Sequence, residues 1–429
     1  MYDLSIIGAG WAGLNAALAA KELGLKVCLI ERAQLGGTCL NLGCIPTKTL
    51  IQSAKVFALS KKSDTFGIEI ANSKIDFHKV QERKDRVIQQ LRSGLESILK
   101  NIDLLNQDAK ILSHSELEVQ GKLIETKSIL IATGSQPAEL NGFKFDSKRI
   151  ISSDDILNLK EIPNSLLIIG GGVIGCEFAT LFSTLGTQVT IAEKMPQLIP
   201  GEDKEIAKKI ETIFKKKGIK VNTDTDAATL DLKSYELILV CVGRMVKTAG
   251  LGIEKLGIKT DKGKIVVDDY LKTNIENIYA AGDCTGKIML AHFASYQGIM
   301  AAKNIACPAN PQKVNHTAVP NCIFTDPEIA SVGQKEADAK SKGLDIKISK
   351  FDFLGSGVAR ILDERDGFIK IISDQKTGEI LGGSIIGPRA TELIAILTLA
   401  VSASLDISGI RNTIFAHPTL SESIGEALK

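Results

Sequence analysis

The sequence predicts an α/β protein made of two doubly wound parallel-sheet domains followed by an α+β C-terminal domain. Three observations carry this prediction. A strand, glycine turn, helix, strand, acid series occupies residues 3–31 and recurs over residues 165–193. Each copy is followed by an apolar strand that stops at a glycine, 128–133 before Gly134 and 237–242 before Gly243. After about residue 311 the chain changes to strands with polar punctuation and a long helix over 392–405.

A length of 429 residues corresponds to two or three domains at roughly 150 residues each. The 44% hydrophobic and 24% charged shares are those of a globular chain. Its 52 basic and 50 acidic side chains are scattered, so the net charge of +2 leaves no footprint for nucleic acid or an anionic membrane. Met1-Tyr2-Asp3 runs straight into apolar residues without a basic or cleavable leader, which predicts a cytoplasmic protein. The longest apolar stretch, 393–405, is interrupted by Thr398, Ser402 and Ser404. It falls short of the ~20 residues that span a bilayer, so it reads as a buried or interfacial helix. In a reducing compartment the eight cysteines do not form a structural disulfide framework. A pair at unusual spacing is then catalytic, redox-active or metal-binding.

The first unit runs from a strand over 3–7 into Gly8-Ala9-Gly10-Trp11-Ala12-Gly13, an alanine-rich helix, and a strand over 26–30 that ends on Glu31. The second runs from 165–169 into Gly170-Gly171-Gly172-Val173-Ile174-Gly175, a helix, and a strand over 188–192 that ends on Glu193. This is the order of a dinucleotide-binding, Rossmann-like unit. A single GxGxxG is often only a glycine-rich turn. Here both copies keep the same 23-residue separation from first glycine to acid, which chance has no reason to reproduce. In such a loop the first glycine makes the turn, the second admits a pyrophosphate and the third lets helix and strand pack, with the phosphate meeting the open N–H groups of the helix. Glu31 and Glu193 are placed to accept hydrogen bonds from ribose hydroxyls. At the second site a carboxylate would repel a 2′-phosphate, and no arginine follows within a dozen residues of Lys194, so NAD is expected over NADP. The glycine-ended strands bring Thr133-Gly134 and Gly243 to the later part of each sheet, and a third such strand, 277–281, ends on Gly282-Asp283. A chain holding two dinucleotides passes electrons between them.

The chemistry-bearing segment is Gly36-Gly37-Thr38-Cys39-Leu40-Asn41-Leu42-Gly43-Cys44-Ile45-Pro46-Thr47-Lys48, just after the first unit. In a regular helix positions i and i+5 lie roughly 8.6 Å apart, beyond the ~7 Å Cα limit for a disulfide. A bridge between Cys39 and Cys44 therefore needs a distorted turn, which Gly43 eases. Strained bridges are the reducible ones, as an electron relay requires. A zinc site would need a matching second pair, which is absent here, and inert core cysteines are the other alternative; no metal is expected. Cys28, Cys176, Cys241, Cys284, Cys307 and Cys322 read as packing residues. Near the end, Phe415-Ala416-His417-Pro418-Thr419-Leu420-Ser421-Glu422 offers an imidazole with a carboxylate five residues on. Alone it would be a surface histidine. In a thiol enzyme it is the acid/base that moves the thiol proton, oriented by Glu422.

These motifs, with Ile131-Ala132-Thr133-Gly134, Gly170 to Glu177, Ala280-Ala281-Gly282-Asp283, Phe324-Thr325-Asp326-Pro327-Glu328 and His417-Pro418-Thr419, stand in the order of one family. The chain resembles the class I pyridine nucleotide-disulfide oxidoreductases over essentially its whole length, and is most similar to the members that reoxidise dihydrolipoyl groups. The resemblance implies an FAD-binding domain over 1–145 and 270–312, an NAD-binding domain over 146–269 and a dimerisation domain over 313–429. FAD then falls to Gly8, Gly10, Gly13, Glu31 and Arg32, to Gly37, Thr38 and Lys48, and to Thr133, Gly134, Gly282 and Asp283. NAD falls to Gly170, Gly172, Val173, Ile174, Gly175, Glu193 and Gly243.

The resemblance also implies roles. Cys39 exchanges with the dithiol, Cys44 faces the flavin, Lys48 and Glu177 form an ion pair beside the flavin ring, and His417 works beside the disulfide of the partner subunit of a homodimer. The implied partner is the lipoyl domain of a 2-oxoacid dehydrogenase or glycine cleavage complex. Mercuric and large thioredoxin reductases usually carry a further C-terminal redox pair, whereas here no cysteine follows Cys322. A glutathione-type reductase would prefer NADP. A low-turnover flavoprotein scaffold of a multienzyme complex would not need Cys39, Cys44, His417 and Glu422 together. Three departures stand out: Trp11 where relatives keep a smaller residue, Phe415 in place of a histidine, and a short 220–239 stretch that predicts a trimmed NAD domain.

Overall fold

The computed structural model describes residues 1–429. The chain forms two compact units: Met1–Leu50 with Asp76–Ala138 and Gly243–Val314, and Ile51–Ile75 with Glu139–Val242 and Asn315–Lys429.

The first unit is built on a seven-stranded sheet. Asp103–Leu105, Val27–Ile30, Tyr2–Ile7 and Lys122–Ile131 lie side by side in parallel, and Ile278–Ala280 pairs in parallel with the last of these. Ile7 stands opposite Ile30 on one side and Ile131 on the other, so all three strands end at one edge. Val27–Ile30 is buried along its full length, the continuous apolar pattern of a parallel strand covered on both faces. The start of Lys122–Ile131 instead pairs antiparallel with Glu116–Val119, which pairs antiparallel with Ala109–Ser113. The helices Trp11–Glu22 and Ala291–Ala306 can approach closely because their contact is made of small residues; a Cβ on Gly298 would sit 2.1 Å from the Ala12 carbonyl oxygen.

The second unit holds two sheets. The first is five-stranded and parallel, in the order Lys220–Asn222, Gln188–Ala192, Ser165–Ile169, Leu237–Val240, Ile150–Ile151. Between Asn222 and Leu237 there are only two short 3-10 turns, Ala227–Thr229 and Leu232–Ser234, and no strand. Residues 243–269, grouped with this domain in the sequence reading, belong to the first unit, where Arg244–Val246 pairs antiparallel with Ser135–Pro137.

The second sheet is antiparallel, in the order Asn321–Ile323, Glu328–Gly333, Ile380–Gly387, Phe368–Asp374, Ile346–Asp352. The helix Ala390–Ser402 lays Leu393, Ile394, Leu397 and Ala400 onto it, in a core with Phe353, Ile369, Ile371 and Ile385. Each such aliphatic side chain contributes about 1.5–3 kcal/mol when fully buried. The helix stops before the expected residue 405, because Ser404 turns left-handed at φ 49°. No helix of the protein is long and apolar enough to cross a membrane.

An ionic cluster joins the two sheets of this unit. Lys370, on the strand Phe368–Asp374, has a 1% exposed side chain, and its ammonium lies 2.5 Å from Glu336, 3.2 Å from Asp203 and 3.5 Å from Glu205. Asp203 and Glu205 stand at the start of the helix Lys204–Lys216, so one buried cation holds that helix against the antiparallel sheet.

Candidate functional site

The two glycine loops are copies in three dimensions as well as in sequence. Gly8 and Gly170 adopt φ 103° and 106°, and a Cβ at either would press to 2.4 or 2.5 Å from the backbone carbonyl oxygen of Ala132 or Cys241 in the adjacent segment. Both positions require glycine. A Cβ on Gly13 would meet Gly8 O at 1.9 Å, and one on Gly175 would meet Gly170 O at 2.0 Å. Gly10 and Gly172 cap the following helices with no side-chain hydrogen bond, which leaves the first N–H groups of each helix open to an anion.

The acids match too. The Ala9 N–H donates to Glu31 Oε2 at 2.7 Å and the Ala33 N–H to Oε1 at 2.8 Å. The Gly171 N–H donates to Glu193 Oε2 at 2.6 Å and the Met195 N–H to Oε1 at 2.7 Å. Each carboxylate is thus fixed at the lip of its own loop. Val173 and Ile174 open the second helix, and Gly243, at φ 127°, follows the strand Leu237–Val240. Arg32 is at the surface, 3.5 Å from Asp108.

Further groups gather at the edge of the first sheet. Thr133 Oγ1 is buried without a hydrogen-bond partner, and Gly134 turns at φ 73°. The Gly282 N–H is held by Gln297 Oε1 at 2.8 Å, which presents Asp283 at the end of the strand Ile278–Ala280. Ser135 Oγ donates to Asp283 Oδ2 at 2.5 Å and accepts from Arg244 Nε at 2.7 Å, while Arg244 Nη2 donates to Ser135 O at 3.0 Å. Ser135 and Arg244 escaped the sequence reading; their only signal was adjacency to Gly134 and Gly243. An open helix N-terminus, an anchored acid and an unsatisfied hydroxyl fit FAD at the first loop. The second loop, with the same turn and the same acid, fits NAD.

The cysteine segment packs on the first glycine loop. The Gly36 N–H donates to Ala9 O at 2.9 Å, and a Cβ on Gly37 would lie 2.7 Å from Gly10 Cα. Gly37–Leu42 is a short helix that contains Thr38 and Cys39. Gly43, at φ −152° and ψ −112°, ends it, and Cys44 begins the next helix, Cys44–Lys61. This break is the distorted turn that the spacing required, and across it the two thiols hydrogen-bond to each other. Both cysteines are half-buried. Asn41 fastens the turn by donating to Leu35 O and Gly37 O at 2.9 Å each, and Arg92 Nη2 donates to Asn41 Oδ1 at 2.6 Å.

The Cys39 thiol is pushed well above its ordinary pKa, first by the hydrogen bond with Cys44, then by burial and by the charge Cys44 carries when ionised; Trp11 and the Lys48 ammonium oppose this. Of the other cysteines, Cys28 and Cys284 are buried and raised to about 12, chiefly by burial, and Cys176 and Cys241 are raised by the same cause. Cys307 corrects the packing assignment: it is exposed, at the C-terminal end of the helix Ala291–Ala306.

In the second unit Glu177, 3% exposed on the helix Val173–Thr184, accepts the Phe324 N–H at 3.0 Å. His417 Nδ1 lies 2.8 Å from Glu422 Oε1, and the other oxygen of Glu422 accepts the Thr419 N–H at 2.8 Å. The Glu422 carboxyl is held below its usual range by that backbone donor first and by His417 second. The expected imidazole–carboxylate pair is therefore formed, with the histidine ring 81% exposed on the single chain.

Residues 2–298 match the family described as pyridine nucleotide-disulphide oxidoreductase, and residues 319–428 match its dimerisation domain. A dihydrolipoyl dehydrogenase of Chlamydia muridarum is 40% identical over 99% of this chain and 96% of its own length. A dihydrolipoyl dehydrogenase of Bacillus subtilis is 39% identical over 99% and 97%. Among solved structures, the HOCl-induced flavoprotein disulfide reductase RclA of Escherichia coli superposes with a TM-score of 0.88 at 31% identity, covering 100% of this chain and 99% of that one. LpdA of Mycobacterium tuberculosis superposes with a TM-score of 0.92 at 26% identity, covering 99% of each.

Proposed function

Because the chain belongs to the pyridine nucleotide-disulphide oxidoreductase family, we propose that it is a dihydrolipoyl dehydrogenase that uses Cys39 and Cys44 as its exchanging pair. The observation that carries this reading is the pair itself: two thiols within hydrogen-bonding reach across the Gly43 break, packed on the first of two matching dinucleotide loops. The enzyme is an FAD- and NAD-dependent disulfide oxidoreductase.

In the working cycle a substrate thiolate attacks Cys39 Sγ of the oxidised pair and breaks its bond to Cys44. The second substrate thiol gives its proton to His417, whose ring is held by Glu422, and displaces Cys39, closing the substrate disulfide. Two electrons and the proton now reside on the protein. FAD bound at the first loop would supply the two-electron chemistry that links the pair to NAD. The chain's own residues set the direction. Once the pair is reduced, the hydrogen bond with Cys44 and burial raise the Cys39 thiol's pKa, and the Lys48 ammonium opposes them by favouring its thiolate. Glu193 repels a 2′-phosphate at the second ribose, which selects NAD. Lys48 and Asp283, the latter held by Ser135, would help to hold FAD at the first loop.

The enzyme works as a cytoplasmic homodimer in which His417 serves the cysteine pair of the partner subunit. Its substrate is the dihydrolipoyl group on the lipoyl domain of a 2-oxoacid dehydrogenase or glycine cleavage complex. Anaerobic titration with dihydrolipoamide followed by NAD tests the reading. The flavin spectrum should bleach with dithiol and recover with NAD, and Cys44→Ser should abolish the bleaching. No reduction by dihydrolipoamide would exclude it as substrate, and no reduction by any dithiol would sink the disulfide mechanism.

A further inference from the structure

The mechanism leaves one buried polar group unused. Trp11 is the chain's only tryptophan and stands within the first glycine loop. Its indole Nε1 is buried and has no acceptor in hydrogen-bonding geometry. An indole nitrogen can only donate, so no other role satisfies it, and a buried donor left unpaired is costly. The backbone that carries the ring is also held in place. Asn15 Nδ2 donates to Trp11 O at 2.9 Å and contacts Ser295 Oγ at 3.1 Å, which fixes the first turn of the helix Trp11–Glu22. The loop that carries Trp11 touches the cysteine helix backbone to backbone, at Gly10 against Gly37 and at Ala9 O against Gly36 N–H.

We propose that Trp11 is the hydrogen-bond donor that stabilises the Cys39 thiolate during dithiol exchange, its buried indole N–H being reserved for the charged sulfur. The inference rests on the exchange role given to Cys39 above and adds a residue to it. A neutral thiol is a weak acceptor, whereas a thiolate is a strong one, and charge-assisted hydrogen bonds are roughly twice as strong as neutral ones. Each time the Cys39–Cys44 bond opens, the donor gains its partner. The indole acts on Cys39 in the direction this requires, since Trp11 lowers that thiol's pKa. Cys44 and Lys48 are the titratable groups that face Cys39 in the same unit, and Arg92 on the neighbouring helix Phe77–Ile98 is engaged by Asn41. A smaller residue at position 11 would leave Lys48 alone to hold the thiolate.

The test reads Cys39 directly and needs neither lipoamide nor turnover. In a Cys44→Ser background, the pH dependence of Cys39 alkylation by iodoacetamide is followed by peptide mass spectrometry with Trp11 present and with Trp11→Phe. The phenyl ring keeps the bulk and loses the donor. Trp11→Phe should raise the Cys39 pKa by about one unit, which lowers alkylation about 10-fold at pH values below it. Superimposable profiles would overturn the proposal. A second readout uses the parent holoenzyme in its reduced form. Emission from the single tryptophan should titrate with Cys39, and the step should vanish in Cys39→Ser; a step that survives this change contradicts the contact. If dihydrolipoamide fails as substrate while Trp11→Phe still shifts the alkylation profile, the functional reading falls and this inference stands.

Discussion

Gly175→Ala separates the two nucleotide sites by a single methyl group. A Cβ at Gly175 would lie 2.0 Å from Gly170 O and 3.2 Å from Ile168 Cγ2. Ordinary contact begins near 3.4 Å, so the helix Val173–Thr184 must move by more than an ångström from the strand Ser165–Ile169, or the loop must open. Overpacking of this kind costs about 1–3 kcal/mol. The displaced element is the helix N-terminus that would meet the pyrophosphate. If that strain falls on the nucleotide-binding geometry, NAD affinity drops about 5- to 150-fold.

The first loop, proposed for FAD, lies in the other unit and should keep its cofactor, because that loop, where a Cβ on Gly13 would meet Gly8 O at 1.9 Å, is untouched. Gly175→Ala should therefore bind FAD stoichiometrically and be reduced by dithiol at the parent rate, with a raised KM for NAD. Gly13→Ala should do the reverse and lose bound flavin. The assays are flavin absorbance per chain, stopped-flow reduction by dithiol and steady-state KM for NAD. Loss of flavin from Gly175→Ala, or an unchanged KM, would refute the assignment of the second loop to NAD.

The remaining predictions concern the acid/base pair and the buried cluster. His417→Gln should slow dithiol exchange by about 10²–10⁴-fold, the usual contribution of a positioned acid/base, with flavin content unchanged; mixed dimers with Cys39→Ser should regain activity, and none regained would remove the cross-subunit arrangement. Lys370→Met should destabilise the protein by about 3–5 kcal/mol in urea, because the buried Asp203 loses its cation while Glu336 keeps Lys340 and Glu205 keeps Lys350; adding Asp203→Asn should restore much of the loss, and a neutral Lys370→Met refutes the cluster's structural role. Glu336 is held down at about 2 by Lys340 first and Lys370 second. Its folded pKa is depressed, so its contribution is present above the unfolded value near 4.5 and is lost as pH falls toward 2; after solvent screening it amounts to about 1–2 kcal/mol. Glu336→Gln should accordingly flatten the stability profile between those two pH values, and an unchanged slope in acid unfolding would contradict the pairing.

What the sequence made legible is what backbone geometry dictates locally. Gly8, Gly13, Gly170 and Gly175 could be read because only glycine satisfies the φ or the clearance at those points. Glu31 and Glu193 followed from the fixed length of a strand, helix, strand crossover. The break at Gly43 was readable from helix arithmetic alone, since an i, i+5 pair cannot meet on an unbroken helix. The chain Asp283, Ser135, Arg244 could not be read in the same way. Its members come from three segments, with Ser135 more than a hundred residues from both Arg244 and Asp283, and nothing local to any of them specifies the others. Lys370 is one lysine among 52 basic residues, and only the packing of two sheets makes it a buried cation.

Trp11 lies between these cases. Its size marked it as out of place in a glycine loop, but size alone suggests nothing beyond a tolerated bulge. The role assigned to it depends on a donor without a partner and a sulfur across a contact that forms only when Gly36 and Gly37 close on Ala9 and Gly10. The glycines that clear space for a dinucleotide therefore also bring the cysteine helix close enough for the loop's one large side chain to reach it. Gly37→Ala, with its Cβ 2.7 Å from Gly10 Cα, should disturb both functions at once, weakening flavin retention and raising the Cys39 pKa together. If flavin retention alone suffers, the loop's two duties are separable and the coupling argued here is wrong.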